Sequence, residues 1–162
     1  MPVNHFLFEG EYTMKILPAV AADAVELYKL QLLAFESEAE MIGSRCVPAL
    51  METEEEHIQD FPNWHTLKLV NDTGNIIGAI RYRKTDDIIE VGRLMVHPAY
   101  RHQGLAQQML TEVDNAYPHE TKELYTCTKS WINIRLYQKM GYTAVKEHTE
   151  ESGLSFVYMR KK

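Results

Sequence analysis

Val96-His97-Pro98-Ala99-Tyr100-Arg101-His102-Gln103-Gly104-Leu105-Ala106 is the stretch on which the reading of this chain turns. A strand must close near Val96, because Pro98 has no N–H to offer a ladder. A tight turn follows, and a helix opens with small residues at Gly104 and Ala106. The first N–H groups of a helix lack intrahelical partners, and the helix dipole adds partial positive charge there. Small side chains let an anion approach those groups closely, which makes the turn a candidate anion site. The spacing is neither G-x-x-x-x-G-K-[ST] nor G-x-G-x-x-G. A plain tight turn before a helix fits the same residues.

Outward from the turn, strand and helix signals alternate. Upstream, residues 64–70, 76–84 and 88–96 read as a meander of strands. The first two are joined through Asn71-Asp72-Thr73-Gly74-Asn75, a hairpin turn by composition. Downstream, a helix runs from 104 to about 117, with Leu105, Met109, Leu110, Val113 and Ala116 on its apolar face, and Pro118 ends it. Residues 123–128 read as a strand and 131–140 as a helix, closed by Gly141 where a left-handed cap is expected. Two last strands, 142–148 and 155–160, flank Glu151-Ser152-Gly153.

Toward the N-terminus, residues 12–17 form a short strand ended by Pro18. Val25, Tyr28, Leu32, Phe35, Ala39 and Ile42 recur at three- and four-residue steps, the apolar stripe of a long helix. Gly43 stops or breaks it, residues 45–50 with Pro48 read as a loop, and 51–60 as a shorter helix. Residues 1–11 suit a flexible leader or a segment packed on a partner subunit. With no internal repeat or linker, the expectation is one α/β domain over 1–162.

Composition narrows the function. At 162 residues, 45% hydrophobic and 25% charged, the chain suits one soluble globular domain. No apolar run approaches the roughly 20 residues of a membrane-spanning helix, and residues 1–11 lack the order of a secretory signal. Cys46 and Cys127 are too few for a disulfide scaffold, which points to a reducing, cytoplasmic setting. The seven histidines show no paired metal-ligand spacing. Residues 1–60 carry 3 basic and 12 acidic side chains, a net of −9, while the remainder carries a net of +3. Seven of those carboxylates fall between Glu36 and Glu56. Such a run is either a solvated helix face or a field that draws a cationic substrate. No basic stripe interleaved with aromatics suggests nucleic acid.

Arg101-x-x-Gly104-x-Ala106 resembles the Q/R-x-x-G-x-G/A signature of the GNAT superfamily, the Gcn5-related N-acetyltransferases. Leu94-Met95-Val96-His97-Pro98 resembles the end of that family's fourth strand. Leu136-Tyr137-Gln138-Lys139-Met140-Gly141-Tyr142 resembles its C-terminal LYxKxGF/Y block. Both blocks lie in the family's order, and the likeness spans roughly residues 12–160. It implies a central mixed, mostly antiparallel sheet of six to seven strands, flanked by about four helices and splayed between the fourth and fifth strands.

The resemblance also implies roles. Backbone N–H groups of Gln103, Gly104, Leu105 and Ala106, with Arg101 and His102 at the mouth of the turn, would hold the pyrophosphate of acetyl-CoA, used as co-substrate without a metal. Main-chain groups of Leu94, Met95 and Val96 would pair with pantetheine. Tyr137 matches the family's general acid, which protonates the departing thiolate. Many members have asparagine where this chain has Ser130. Asn133 shares a helix face with Tyr137, so either Asn133 or Ser130 is the further cofactor contact, Ser130 being also a candidate N-cap.

Glu90, eleven residues before Arg101, matches the catalytic glutamate of many members. With regular strand alternation, Glu90, Gly92, Leu94 and Val96 share one face, and a half-buried carboxylate there suits a general base. Pairing with Arg81 or Arg83 is the competing reading. Glu36 and Glu38 compete as amine-binding carboxylates, against simple solvent exposure. The expected function is acetyl transfer to a primary amine on a small cationic molecule, with a homodimer as a possible assembly. A non-catalytic acyl-CoA sensor is the alternative, and the presence of Tyr137 argues against it.

Overall fold

The computed structural model describes residues 4–7 and 13–162. Eight strands form one sheet in the order β1-β2-β3-β4-β5-β6-β8-β7. They are β1 (Asn4–Leu7), β2 (Thr13–Pro18), β3 (His65–Val70), β4 (Ile76–Thr85), β5 (Ile88–Val96), β6 (Thr121–Cys127), β7 (Thr143–Thr149) and β8 (Ser155–Lys161). The helices are α1 (Ala24–Ile42), α2 (Pro48–Met51), α3 (Glu54–Asp60), α4 (Leu105–Ala116) and α5 (Trp131–Lys139). The mixed, mostly antiparallel sheet expected from the resemblance is present. Its eighth strand is β1, which pairs with β2 from Asn4↔Ile16 to Leu7↔Thr13, inside the stretch read as a leader. The rest of that stretch, and Tyr12, lie outside the described residues.

Among the described strands only β5 and β6 run parallel, and they pair over just three positions, Ile88↔Thr121, Ile89↔Lys122 and Glu90↔Glu123. Beyond Glu90 the two strands separate, although β5 continues to Val96 and β6 to Cys127. The splay expected between the fourth and fifth strands of the family fold is this gap. A break in the β4–β5 register accompanies it. Ala79 faces Met95 and Arg81 faces Gly92, so β5 spends one residue more than β4. This is a bulge, with Arg93 at a φ of +46°.

The bulge corrects the expectation of regular alternation. Ile89 and Val91 point into the core on the α4 side, and after the bulge so do Leu94 and Val96, while Met95 packs beneath α1. Glu90 therefore does not share a face with Leu94 and Val96.

The two sides of the sheet are covered separately. Leu105, Met109, Leu110 and Val113 of α4 pack on Ile80, Ile89 and Val91, the apolar face anticipated from their spacing. On the other side Leu27, Leu30 and Ala34 of α1 pack on Val70, Ala79 and Met95. The stripe of α1 differs from the one expected: Val25 is exposed, and the buried line runs through Ala24, Leu27, Gln31 and Ala34. Gln31 is fully buried and donates to the Ala49 carbonyl and to Glu52, at 2.9 and 3.0 Å. A polar residue on the inner face disguised that face in the sequence.

After Gly43, which caps α1 at a φ of +74°, the chain makes two short helices instead of a loop and one helix. Pro48 is the first residue of α2, a position where its missing N–H costs nothing. The later helix starts at Glu54 because Thr53 and Glu56 form a reciprocal capping box, each side chain accepting the other's N–H at 3.1 and 3.0 Å. Among the described residues, no helix is long and apolar enough to cross a membrane.

Candidate active site

The turn before α4 opens a groove. His97 Nδ1 accepts the Ala99 N–H at 3.0 Å and starts a single turn of 3-10 helix over Pro98–Tyr100. The chain then reverses through two left-handed residues, His102 and Gly104, at φ values of +64° and +74°. The Gln108 N–H bonds back to the Gly104 carbonyl at 3.1 Å, so the N–H groups between them belong to the unpaired first turn of α4. A Cβ built on Gly104 meets nothing within 4 Å. Arg101 Nη2 donates to the Ala34 carbonyl at 2.9 Å, tying the turn to α1.

The groove has a volume of about 670 Å³ and runs from this turn along Leu94, Met95 and Val96 toward Asn133 on α5. Arg101, His102, Gly104, Leu105 and Ala106 line it as well. Gln103, in the turn before α4, is exposed, and Gln107 in the first turn of α4 lines the groove instead. Because β5 has lost its partner past Glu90, its main-chain groups there are available to an extended ligand. An anion at the helix start and an extended chain along β5 both fit this shape.

Through the splay the groove meets a second, inner cavity of about 460 Å³. Phe35, Glu38, Leu94 and Asn133 border both spaces. Glu38 is the charged member of that junction. Ser130 Oγ donates to Glu38 Oε1 at 2.5 Å. Burial raises the Glu38 pKa above the ordinary carboxylate range, and hydrogen bonds from Ser130, Thr126 and Asn133, with the charge of Arg93, offset only part of the rise. A carboxyl shifted in this direction is a stronger proton acceptor than an ordinary glutamate.

Tyr137, 7% exposed, lines the inner cavity one helical turn beyond Asn133. Burial, the Glu38 charge and Tyr142 all push its phenol pKa up, so the hydroxyl keeps its proton and can donate it. Its ring packs edge-on to Tyr142 at 6.1 Å.

The remaining candidates are distributed as follows. Ser130 is fully buried at the N-cap position of α5 but makes no capping bond. Its hydroxyl serves Glu38, and it does not line the groove, whereas Asn133 does. Glu90 lines the inner cavity and pairs with Arg83 at 2.7 Å. Glu36 pairs with Arg45 on the outer side of α1 and borders neither space. Among the described residues, no group of three His, Cys, Asp or Glu side chains converges as metal ligands would.

The inner cavity also holds Glu52, Asp60, Trp64 and Arg93, which the sequence did not single out, and Arg81, which it offered only as a partner for Glu90. Burial pushes the Glu52 pKa up, but hydrogen bonds from His57 and Gln31, with Arg93 nearby, outweigh it and hold the carboxyl at about 2. Arg81 and Arg83 alternate on β4 and were legible as strand residues. No periodic signal marks Arg93, because the bulge aims it.

Comparison with known proteins bears on the fold and the family. The family described as "Acetyltransferase (GNAT) domain" matches residues 26–162. The UPF0157 protein YqkA of Bacillus subtilis is 28% identical over 136 residues, 83% of this chain. The chain spans 38% of the length of that relative. Among solved structures, the paia N-acetyltransferase of Thermoplasma acidophilum, in complex with coenzyme A, has a TM-score of 0.71 at 17% identity, covering 92% of this chain and 98% of its own. The ribosomal-protein-S18-alanine N-acetyltransferase of Escherichia coli has a TM-score of 0.71 at 16% identity, covering 91% and 92%. At such identities the structures speak for the fold, and the family match speaks for membership: this chain belongs to the GNAT acetyltransferase family.

Proposed function

We propose that this chain moves the acetyl group of acetyl-CoA to a primary amine by direct attack in a ternary complex. The observation that carries the reading is the junction at Glu38, Leu94 and Asn133, where a groove suited to a long phosphate-bearing ligand opens onto a separate cavity. The N–H groups from Gly104 to Ala106, with Arg101 and His102, hold the pyrophosphate, and the free edge of β5 at Leu94, Met95 and Val96 receives pantetheine. Acetyl-CoA then supplies an activated thioester at the splay.

Glu38 takes the proton from the incoming ammonium, directly or through water, which makes the amine a nucleophile. Tyr137 gives its hydroxyl proton to the departing sulfur and recovers one, directly or through water, from the nitrogen, which sheds its second proton as the amide forms. Asn133 sits beside both groups and steadies the Glu38 carboxyl. Glu90 is the other carboxylate in the cavity matching a family base, but its ion pair with Arg83 keeps it committed, so Glu38 is the better acceptor.

Thiol release from acetyl-CoA across a panel of amines tests this reading, with mass spectrometry of the products. Coenzyme A binding without turnover on any amine would overturn the enzymatic assignment and leave a sensor.

Glu38→Gln is expected to lower kcat/KM about 100-fold, the usual scale of a lost general base, and to abolish the acidic limb of the pH–rate profile. The same change is expected to raise the melting temperature at neutral pH. A carboxyl whose folded pKa lies above its ordinary value, 4.5 for a glutamate, binds its proton more tightly folded than unfolded. Stability is therefore lost as pH rises through the folded value, and glutamine, which still accepts from Ser130, escapes that loss. A variant as active as the parent but less stable would return Glu38 to a structural role.

A further inference from the structure

Two of the arginines in the inner cavity are short of partners. Arg93 sits at the bulge in β5 in a left-handed conformation, a strain that persists where the surrounding structure enforces it. Its side chain is 15% exposed, and its nearest carboxylate oxygen, Glu52 Oε2, lies 3.8 Å away, beyond hydrogen-bond range. Glu52 is held elsewhere, since its Oε1 accepts from Gln31 at 3.0 Å and faces His57 Nδ1 at 3.1 Å. Arg81 is as buried, at 14%, and touches Asp60 only at 3.5 Å. Asp60 in turn accepts from Trp64 Nε1 and Asn63, each at 3.0 Å. The buried Nε of each arginine has no partner among the described residues.

The two cations also repel one another. Burial, then the charge of Arg93, pushes the Arg81 pKa down to about 10. Trp64 fixes the arrangement, with Arg81 4.1 Å and Arg83 4.0 Å from its ring centroid. Burying a guanidinium group without full hydrogen bonding is costly, and here the chain itself does not supply the missing acceptors. An anion does.

We infer that Arg81 and Arg93 receive a carboxylate of the acceptor, so that the acceptor is a small amino acid-like molecule with its amine at Glu38 and its carboxylate at the two guanidinium groups. The inference rests on the proposed function for the position of the amine. Glu38 and Arg93 line one cavity, and the Arg93 charge acts on the Glu38 carboxyl, so one small molecule reaches both. Its volume of about 460 Å³ lies in the range of small-ligand sites. Planar guanidinium groups match a carboxylate in bidentate fashion. Glu52 and Asp60 stand beside the arginines, which suits a monoanion and disfavours a doubly charged phosphate. This reading departs from a purely cationic acceptor, which the acidic N-terminal stretch had suggested.

The test is a set of matched acceptors assayed with acetyl-CoA by thiol release: amino acids, their primary amides, their decarboxylated amines and their phosphonate analogues. The carboxylates are expected to exceed their amides and decarboxylated amines at least about tenfold in kcat/KM, as a buried charge-assisted contact allows. Arg93→Gln is expected to bring that ratio below about twofold, with an unchanged coenzyme A dissociation constant as evidence of folding. Should that variant not fold, the ratios of the parent protein decide alone. Amides or decarboxylated amines used as well as the amino acids, or phosphonates preferred, would overturn the inference. If no amine is acetylated, the proposed function falls and the anion site is judged by binding. N-acetylamino acids should then raise the melting temperature of the coenzyme A-loaded protein more than their primary amides do, and equal shifts would overturn it.

Discussion

Tyr137→Phe is expected to lower turnover at saturating substrates by about 100-fold or more, while the coenzyme A dissociation constant changes less than about threefold. The phenol is buried against Tyr142, and phenylalanine keeps that packing, so the fold should tolerate the change. What disappears is a hydroxyl held in its protonated form by burial and by the neighbouring Glu38 charge. In the proposed reaction its value lies in the transition state, where negative charge develops on sulfur, and it contributes little to ground-state binding. A 100-fold loss corresponds to about 2.7 kcal/mol of barrier. Steady-state kinetics paired with calorimetry of coenzyme A binding make the check. A loss of turnover below about threefold would return Tyr137 to a packing role.

Gly104→Glu is expected to weaken coenzyme A binding about 100-fold in a protein that still folds. The site has room, since a Cβ there meets nothing within 4 Å. The left-handed φ of +74° costs a non-glycine residue about 1 kcal/mol, and a carboxylate at a helix N-terminus recovers part of it through the dipole. The damage falls on the ligand. Two like charges about 4 Å apart interact by about 4 kcal/mol at an effective dielectric near 20, and partial exposure reduces that to about 2.7 kcal/mol. Gly104→Ala carries the same backbone strain without the charge and should bind nearly as well as the parent. Calorimetry on both variants separates the two effects. Unchanged affinity in a folded Gly104→Glu protein would remove the turn from the binding site.

The acidic N-terminal region illustrates how charge in a sequence differs from charge at a site. Glu54, Glu55 and Glu56 fall in the first turn of α3, where carboxylates favour the helix dipole. Glu36 pairs with Arg45 on the outer side of α1. Glu38 and Glu52 turn inward, and both line the inner cavity. A net charge counted along the chain gives each of these the same weight, whereas burial separates them.

What the sequence by itself determined is what local chemistry dictates. Pro98 ended β5, Gly104 and Ala106 opened α4, and Gly43 and Gly141 each lie just past a helix in the left-handed region. The three-residue and four-residue steps of Leu105, Met109, Leu110 and Val113 specified which face of α4 is buried, because every residue on that face is apolar. Where a core-facing position is polar, the same method failed. Gln31 and Glu38 lie on the inner side of α1, and the apolar count moved the stripe to Val25 and Tyr28.

Tertiary structure alone decided the site. The bulge at Arg93 follows from pairing β5 against β4, and a single inserted residue reverses every side chain after it. Ser130 meets Glu38 across 92 residues of chain, and Arg81 shares its cavity with Arg93 through neighbouring strands. Those contacts join residues whose separation along the chain carries no period, so only the folded backbone brings their charges within reach of one another.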